Sequence, residues 1–497
     1  MSSAKSMKVL VLTIGNGINI LINFLTLPYL VRSLSYTDYG SYGQALIVIS
    51  FLQGLFTFNL NQIANIYLAR NEYEPRQVFS SLMRTTLTMS AFAMIVMAVA
   101  TPLIAISFDN TLLTKILLLS LFNLAAQVPV PVLLSVLIFH GKVKSSTSIL
   151  IATNMLKVSV MFVAIHFYNS IFLLMGGLSI VGLIQVGLLY FAVPANIRTL
   201  RLYDKKLTKS FMAMATPLAV SSIVERSVVY IDGIMISSML TTTNYALYRA
   251  GAIEVPFIAS LYGSVAAIVM PEVARLFVDR RLPDILQLKR KVIGGTVFFV
   301  YPVLVFLLLF STPVVTFYLS EKYAQSAIVF AIFNLSLFIR INDYQDVIII
   351  SGKTRFIFQV IVVMVIVNVL LNYSLIKIFG IEGSALAFIL FLFTYAAILT
   401  WKTCKLLHCS FTELFNLSLI GRVLILSLSF AMPIWLVHKF LNDNVWFIIL
   451  SGPVYLFLVY TIGFRFGWIE NELISKMSSR IPILSTFIHK KNGSRNS

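Results

Sequence analysis

VERSVVYIDG (residues 224–233) places a glutamate, an arginine and an aspartate inside apolar sequence, with FMAMATPLAV (211–220) before it and IMISSML (234–240) after. If this run crosses a membrane, Glu225, Arg226 and Asp232 sit near mid-bilayer, and something must compensate them. The composition settles the first half of that question. Of 497 residues 59% are hydrophobic and 11% charged, and the mean hydropathy is +0.91. A soluble chain carries about 25% charged residues. Apolar runs of about 20 residues recur along the whole length, each long enough to cross the hydrocarbon core as a helix. About fourteen such runs are read, from 10–31 through 445–464, with mostly short connections. The fold class expected is therefore an all-α integral membrane protein.

The N-terminal MSSAKSMK and the apolar run after it look like a secretory signal, but no small-residue cleavage site follows and the run is too long. It is read as a retained first span. Cys404 and Cys409, the two cysteines, are expected to be free thiols.

Orientation follows from Lys and Arg, which stay on the cytoplasmic side of short loops. With the N-terminus inside, 29 of the 38 fall on that side. Five lie opposite (Arg32, Lys115, Lys322, Lys377, Lys439) and four fall within spans. Both termini are thus expected in the cytoplasm. The same distribution accounts for the formal charge of +19 without a nucleic-acid partner, because no basic domain exists.

An internal repeat organises the chain. SLSYTDYGSYGQA (33–45) recurs loosely as SMLTTTNYALYRA (238–250), so that Tyr39 matches Tyr245 and Tyr42 matches Tyr248. TPLIAISF (101–108) matches TPVVTFYL (312–319), and HGKVKSS (140–146) matches SGKTRFI (351–357), at nearly the same offset. The unit is about six spans, an even number, which puts both copies in one orientation. This is the parallel-repeat arrangement of two-lobed transporters. The divisions expected are 1–207 and 208–417 as six-helix lobes, 418–466 as an extra helix pair, and 467–497 as a basic cytoplasmic tail. In the second copy Gly40 and Gly43 give way to Ala246 and the surroundings of Arg249.

SYTDYGSYGQA after the first span, SEKYAQSAIVFAIFNL (320–335) entering the tenth, and the GK-containing loops after spans four and ten resemble the polysaccharide-exporting members of the multidrug/oligosaccharidyl-lipid/polysaccharide (MOP) superfamily. More narrowly, the chain resembles the bacterial O-antigen, or lipid-linked oligosaccharide, flippases. The resemblance implies two six-helix lobes around a central cavity that opens alternately to each side of the bacterial inner membrane. It implies undecaprenyl-pyrophosphate-linked oligosaccharide as cargo, contact with membrane lipids, coupling to H+ or Na+, and polysaccharide assembly proteins as partners. No cofactor and no metal are expected.

Nine ionisable groups fall within spans: Lys157, Glu225, Arg226, Asp232, Arg249, Glu254, Arg340, Asp343 and Asp346. Arg249 and Asp346 lie close enough to interfaces to snorkel. The other seven, facing lipid, would together cost on the order of 20 kcal/mol, at roughly 2.5–3.5 each. They must face water or one another. Arg226, Lys157, Arg249 and Arg340 are the candidate anion ligands, because guanidinium and ammonium groups make strong charge-assisted bonds to phosphate oxygens. Glu225, Asp232, Glu254 and Asp343 are the candidate ion-coupling carboxylates. Ion pairing between helices is the competing account, with Arg340–Asp343 as one such pair. Asn16, Asn19 and Asn23 make a polar stripe on the first span, and Ser50, Gln53, Thr57 and Asn61 make one on the second. Sugar hydroxyls or interhelical hydrogen bonds would each suit these stripes. Pro28, Pro129, Pro131, Pro217 and Pro256 interrupt spans, as kinks or hinges.

The five histidines lack metal-ligand spacing, and no GxSxG, HExxH or GxxxxGK[ST] pattern occurs. The reading is a flippase that is not an enzyme. A multidrug extrusion antiporter is the alternative, and a membrane-embedded polysaccharide polymerase follows behind it, since its large catalytic outer loop is missing.

Overall fold

The computed structural model describes the backbone of residues 2–253, 255–441 and 445–468. It describes the side chains of the same residues except 2–10, 12, 13, 221, 225, 226, 256, 257, 259–264 and 266–268. Among the described residues every regular element is a helix. That is the arrangement hydrocarbon demands of an open chain, since each backbone N–H and C=O must find its partner within its own segment. Eleven described helices are long and apolar enough to span a membrane. One of them, Thr354–Leu407, is two spans joined at Gly380, whose φ of 60° and ψ of −132° are not helical.

Some crossings are built from shorter pieces, and the breaks have identifiable causes. The second span divides into Tyr36–Thr57 and Leu60–Arg70 across Phe58 and Asn59, at φ 49° and 54°. The Asn59 amide turns away to donate to the Leu218 carbonyl (2.9 Å) and to Ser222 (2.6 Å). Pro129 falls at a joint between helices in the fourth span, and Pro256 opens a helix, where its missing N–H costs nothing. Pro28 and Pro217 lie inside the continuous helices Ser2–Ser33 and Lys205–Met239. Taken in chain order, the segments give the all-α architecture of about fourteen crossings expected from hydropathy.

Packing divides the chain into two units: Met1–Ala252 with Tyr318–Val329 and Ile361–Phe388, and Ile253–Phe317 with Phe330–Val360 and Ile389–Ser497. Packing and repeat therefore partition the chain differently, since 208–252 of the second copy joins the first copy. The first unit has a core of Leu60, Ile63, Phe79, Leu82, Leu133 and Phe211, all buried. Small residues set its closest helix crossings. A Cβ on Gly15 would lie 2.1 Å from Thr147, and one on Gly177 would lie 2.4 Å from Val160.

The second unit is centred on Leu282–Leu309. The last two helices, Leu417–Phe440 and Val445–Arg465, pack on it. Tyr455 donates to the Pro302 carbonyl at 3.0 Å and Tyr460 to the Phe299 carbonyl at 2.8 Å. Of the expected tail, only Gly467 and Trp468 are described.

Candidate functional site

Asp232 is 5% exposed, in the first unit. Its two carboxylate oxygens accept from Asn372 Nδ2 (2.9 Å) and from the Tyr248 hydroxyl (3.4 Å). Asn372 Nδ2 also reaches the Asn368 side-chain and backbone oxygens (2.9 and 3.1 Å), and Ser384 donates to Asn372 Oδ1 at 2.7 Å. Asn368, Asn372 and Ser384 are fully buried. Four helical segments thus converge on one buried carboxylate, and the cluster holds more oxygen acceptors than N–H donors aimed at them. Asn368 Nδ2 has no partner among the described residues. Hydrogen bonds to charged groups contribute about 1.5–3 kcal/mol each, enough for two to offset a mid-membrane carboxylate.

Tyr248, which donates to Asp232, belongs to the repeat motif, and that motif packs on its own counterpart. Helix Thr242–Gly251 lies along helix Tyr36–Thr57, so the two copies of the tyrosine motif meet face to face. A Cβ on Gly40 would lie 2.4 Å from the Thr242 carbonyl oxygen. One on Gly43 would lie 2.6 Å from Arg249 Cδ and 2.7 Å from the Tyr245 ring. Arg249 therefore rests on the residue it replaces in the repeat, beside Tyr39, Tyr42 and Tyr245.

The first span, the start of helix Tyr36–Thr57 and the segment 318–322 carry further links within the unit. Arg32 Nε donates to the Leu319 carbonyl (2.9 Å), Lys322 Nζ to Leu34 (2.6 Å), and the Tyr318 hydroxyl to Phe24 (2.5 Å). Tyr36 donates to the Lys322 carbonyl. Phe24 stacks on Tyr318 at 4.5 Å, and the Lys322 ammonium lies 4.5 Å from the Tyr36 ring centre.

A polar seam runs from the first span to the sixth. Asn154 donates to Asn19 (3.1 Å), and Lys157, one turn on, donates to Gln185 (3.3 Å). Asn16 and Asn23 remain exposed beside this seam. In the second-span stripe, Gln53 donates to the Gln127 carbonyl at 3.2 Å, an interhelical bond.

The second unit holds a pair that hydropathy and charge counting pass over. Lys289, assigned by hydropathy to a cytoplasmic loop, belongs to helix Leu282–Leu309. Lys289 and Asp346 are each 2% exposed, and their ammonium and carboxylate meet at 2.7 and 2.8 Å. Lys289 also donates to the Asp343 carbonyl at 3.0 Å. Asp346 is thus a buried ion-pair member rather than a snorkelling side chain. The tenth span is not one helix here: it passes from Ser326–Asn334 through a 3-10 turn, Leu335–Phe338, into irregular backbone before Asp346–Ile350. The helical three-residue spacing expected for Arg340, Asp343 and Asp346 fails for that reason. Asp343 Oδ1 accepts from Gln345 N at 3.0 Å, one of the local bonds by which Asp competes with helix.

Glu254 and the side chains of Glu225 and Arg226 lie outside the described residues. Asn368, Asn372 and Ser384 are not among the residues that the sequence singles out, although VNVLLNYS (367–374) carries two asparagines four apart in an apolar run. That is the signal which marks Asn16, Asn19 and Asn23. Among the described residues no group of three His, Cys, Asp or Glu gathers to hold a metal ion.

The described residues thus form a many-span helical membrane fold with charged and amide groups buried among its helices. The chain aligns over 91% of its length with 97% of the lipid II flippase MurJ in an inward closed conformation, at TM-score 0.74 and 17% identity. An inward-facing multidrug resistance MATE family transporter of the MOP superfamily aligns over 78% of this chain and 94% of its own, at TM-score 0.61 and 9% identity. A MOP superfamily transporter from Pyrococcus furiosus aligns over 82% and 95%, at TM-score 0.54 and 13% identity. No curated protein matches at the level of sequence. Residues 7–277 match the family described as polysaccharide biosynthesis protein, more than half of the chain, and the chain belongs to that family.

Proposed function

We propose that the protein is a secondary transporter, not an enzyme, that flips undecaprenyl-pyrophosphate-linked O-antigen or similar repeat units. The direction is from the cytoplasmic to the periplasmic leaflet of a bacterial inner membrane, by alternating access of the 1–207 and 208–417 lobes. The observation that carries this reading is the buried Asp232 cluster tied through Tyr248 to the crossing of the two repeat copies. A charge change at Asp232 alters the helix that closes against Tyr36–Thr57. A bound H+ or Na+ at one site can therefore bias the outer closure, as coupling requires.

Family membership supports a polysaccharide precursor over a drug cation as cargo. The seam at Asn19, Asn154, Lys157 and Gln185 supplies amides for sugar hydroxyls and one ammonium for phosphate. Exposed Asn16 and Asn23 extend it, and amides left bare to hydrocarbon would be costly, which favours a wet surface there. Arg226, Arg249 and Arg340 complete the proposed anion ligands, and Glu225, Glu254 and Asp343 the proposed coupling acids.

Arg226→Ala is expected to abolish surface polysaccharide while the protein still reaches the membrane. Normal glycan display by a stably expressed variant would remove Arg226 from the substrate path.

A further inference from the structure

An open depression of about 400 Å³ lies where three segments of the first unit meet. Helix Thr242–Gly251 contributes Asn244 and Leu247. Gln325 and Ile328 come from the start of the tenth span. Ile381 and Glu382 follow the kink at Gly380. All three segments end on the side that the Lys/Arg distribution assigns to the periplasm. We propose that this depression is a carbohydrate site, taking one pyranose unit of a glycan on the outer face; the choice of ligand class rests on the proposed function above.

The frame is fixed before any ligand arrives. Ser326 donates to the Leu247 carbonyl at 2.8 Å, and Gly251 lies so near the Ser326 carbonyl that a Cβ would come within 2.6 Å. Those contacts hold the tenth-span entry on helix Thr242–Gly251. Gly380 takes a positive φ of 60°, and Gly383 sits so close to the Leu375 carbonyl that a Cβ would approach to 2.0 Å. The kink that presents Glu382 thus depends on two glycines.

The chemistry inside the frame is that of sugar recognition. Leu247 and Ile381 are buried and make an apolar floor, and Ile328, 57% exposed, makes a wall. A pyranose offers such surfaces its C–H face. Among the described residues, the side chains of Asn244, Gln325 and Glu382 make no hydrogen bond or ion pair, so their capacity is open to a ligand. A carboxylate accepts from two neighbouring hydroxyls at once, while the amides both donate and accept. The volume lies within the roughly 300–1,000 Å³ of small-molecule sites. A lipid ammonium headgroup would use Glu382 but leave both amides without a matched partner, so the sugar fits the set better.

The test uses the full chain in phosphatidylcholine nanodiscs. Saturation-transfer NMR is recorded with N,N′-diacetylchitobiose and with maltose as probes, for wild type and for Asn244→Ala/Glu382→Ala. The proposal expects transfer to at least one probe, reduced fivefold or more in the double variant while its melting temperature holds. No transfer in wild type, or equal transfer in the variant, overturns it. Displacement of the probe by phosphatidylethanolamine in the disc at low mole fraction assigns the depression to lipid and also overturns it. Sugar binding here without translocation of any lipid-linked glycan would sink the transport reading and leave this site standing. Translocation with no binding at the depression would do the reverse.

Discussion

Replacing Asp232 by asparagine keeps the side-chain volume and removes the charge that Asn372 and Tyr248 satisfy. Transport by Asp232→Asn should fall at least tenfold and lose its dependence on sodium or on pH, with thermal stability unchanged or raised. A variant that keeps ion-dependent transport would free Asp232 from coupling. Lys289 behaves oppositely. Lys289→Met leaves Asp346 buried without its partner, which costs about 3–5 kcal/mol. Its melting temperature should drop sharply, and Lys289→Met/Asp346→Leu should recover most of the loss. If the double variant is as unstable as the single one, the pair is not a structural clamp. At the end of the twelfth span, burial first and then the neighbouring Cys404 push the Cys409 thiol up to about 12. The thiolate, which reacts, is then rare at pH 8, so maleimide labelling of Cys409 should run roughly a thousandfold slower than for an ordinary thiol. It should accelerate as pH rises toward that value. Fast labelling near neutrality would contradict the burial.

Helix Tyr36–Thr57 meets helix Thr242–Gly251 through Gly40 and Gly43, and neither position has room for a side chain. In a background with Cys404 and Cys409 replaced, Gly43→Leu should raise labelling of a cysteine at the buried Tyr42 position by fivefold or more, using an impermeant reagent from outside. Unchanged labelling would show that this crossing does not close the outer end. Much at this scale is legible in the sequence. Hydropathy finds the crossings, because a span announces itself by about 20 apolar residues. The paired tyrosines mark the expected repeat, and the fold sets the two copies of that short motif against each other. The breaks are harder to read. Asn59 leaves its helix to bond Leu218, and Lys289 holds the tenth span open at Asp343, both through partners more than 50 residues away. Asp232 stands out because a charge among apolar residues is conspicuous. Its partner Asn372, and the Asn368 and Ser384 that bond Asn372 in turn, are neutral and common, and only packing brings them together.

Three things join among the described residues: a membrane fold similar to those of lipid and drug transporters, two tyrosine motifs packed on one another, and a buried carboxylate bonded to one of them. Charge distribution predicts the orientation, with both termini in the cytoplasm. The central claim is that this chain moves a pyrophosphate-linked oligosaccharide across the bilayer. The most direct measurement loads purified protein into proteoliposomes with an undecaprenyl-pyrophosphate-linked oligosaccharide in one leaflet and follows its arrival in the other by an impermeant glycosidase. Wild-type protein should expose the glycan at least tenfold faster than empty liposomes, and Asp232→Asn should return the rate to near background. Equal rates with wild type and with empty liposomes, under an imposed proton or sodium gradient, would contradict the account.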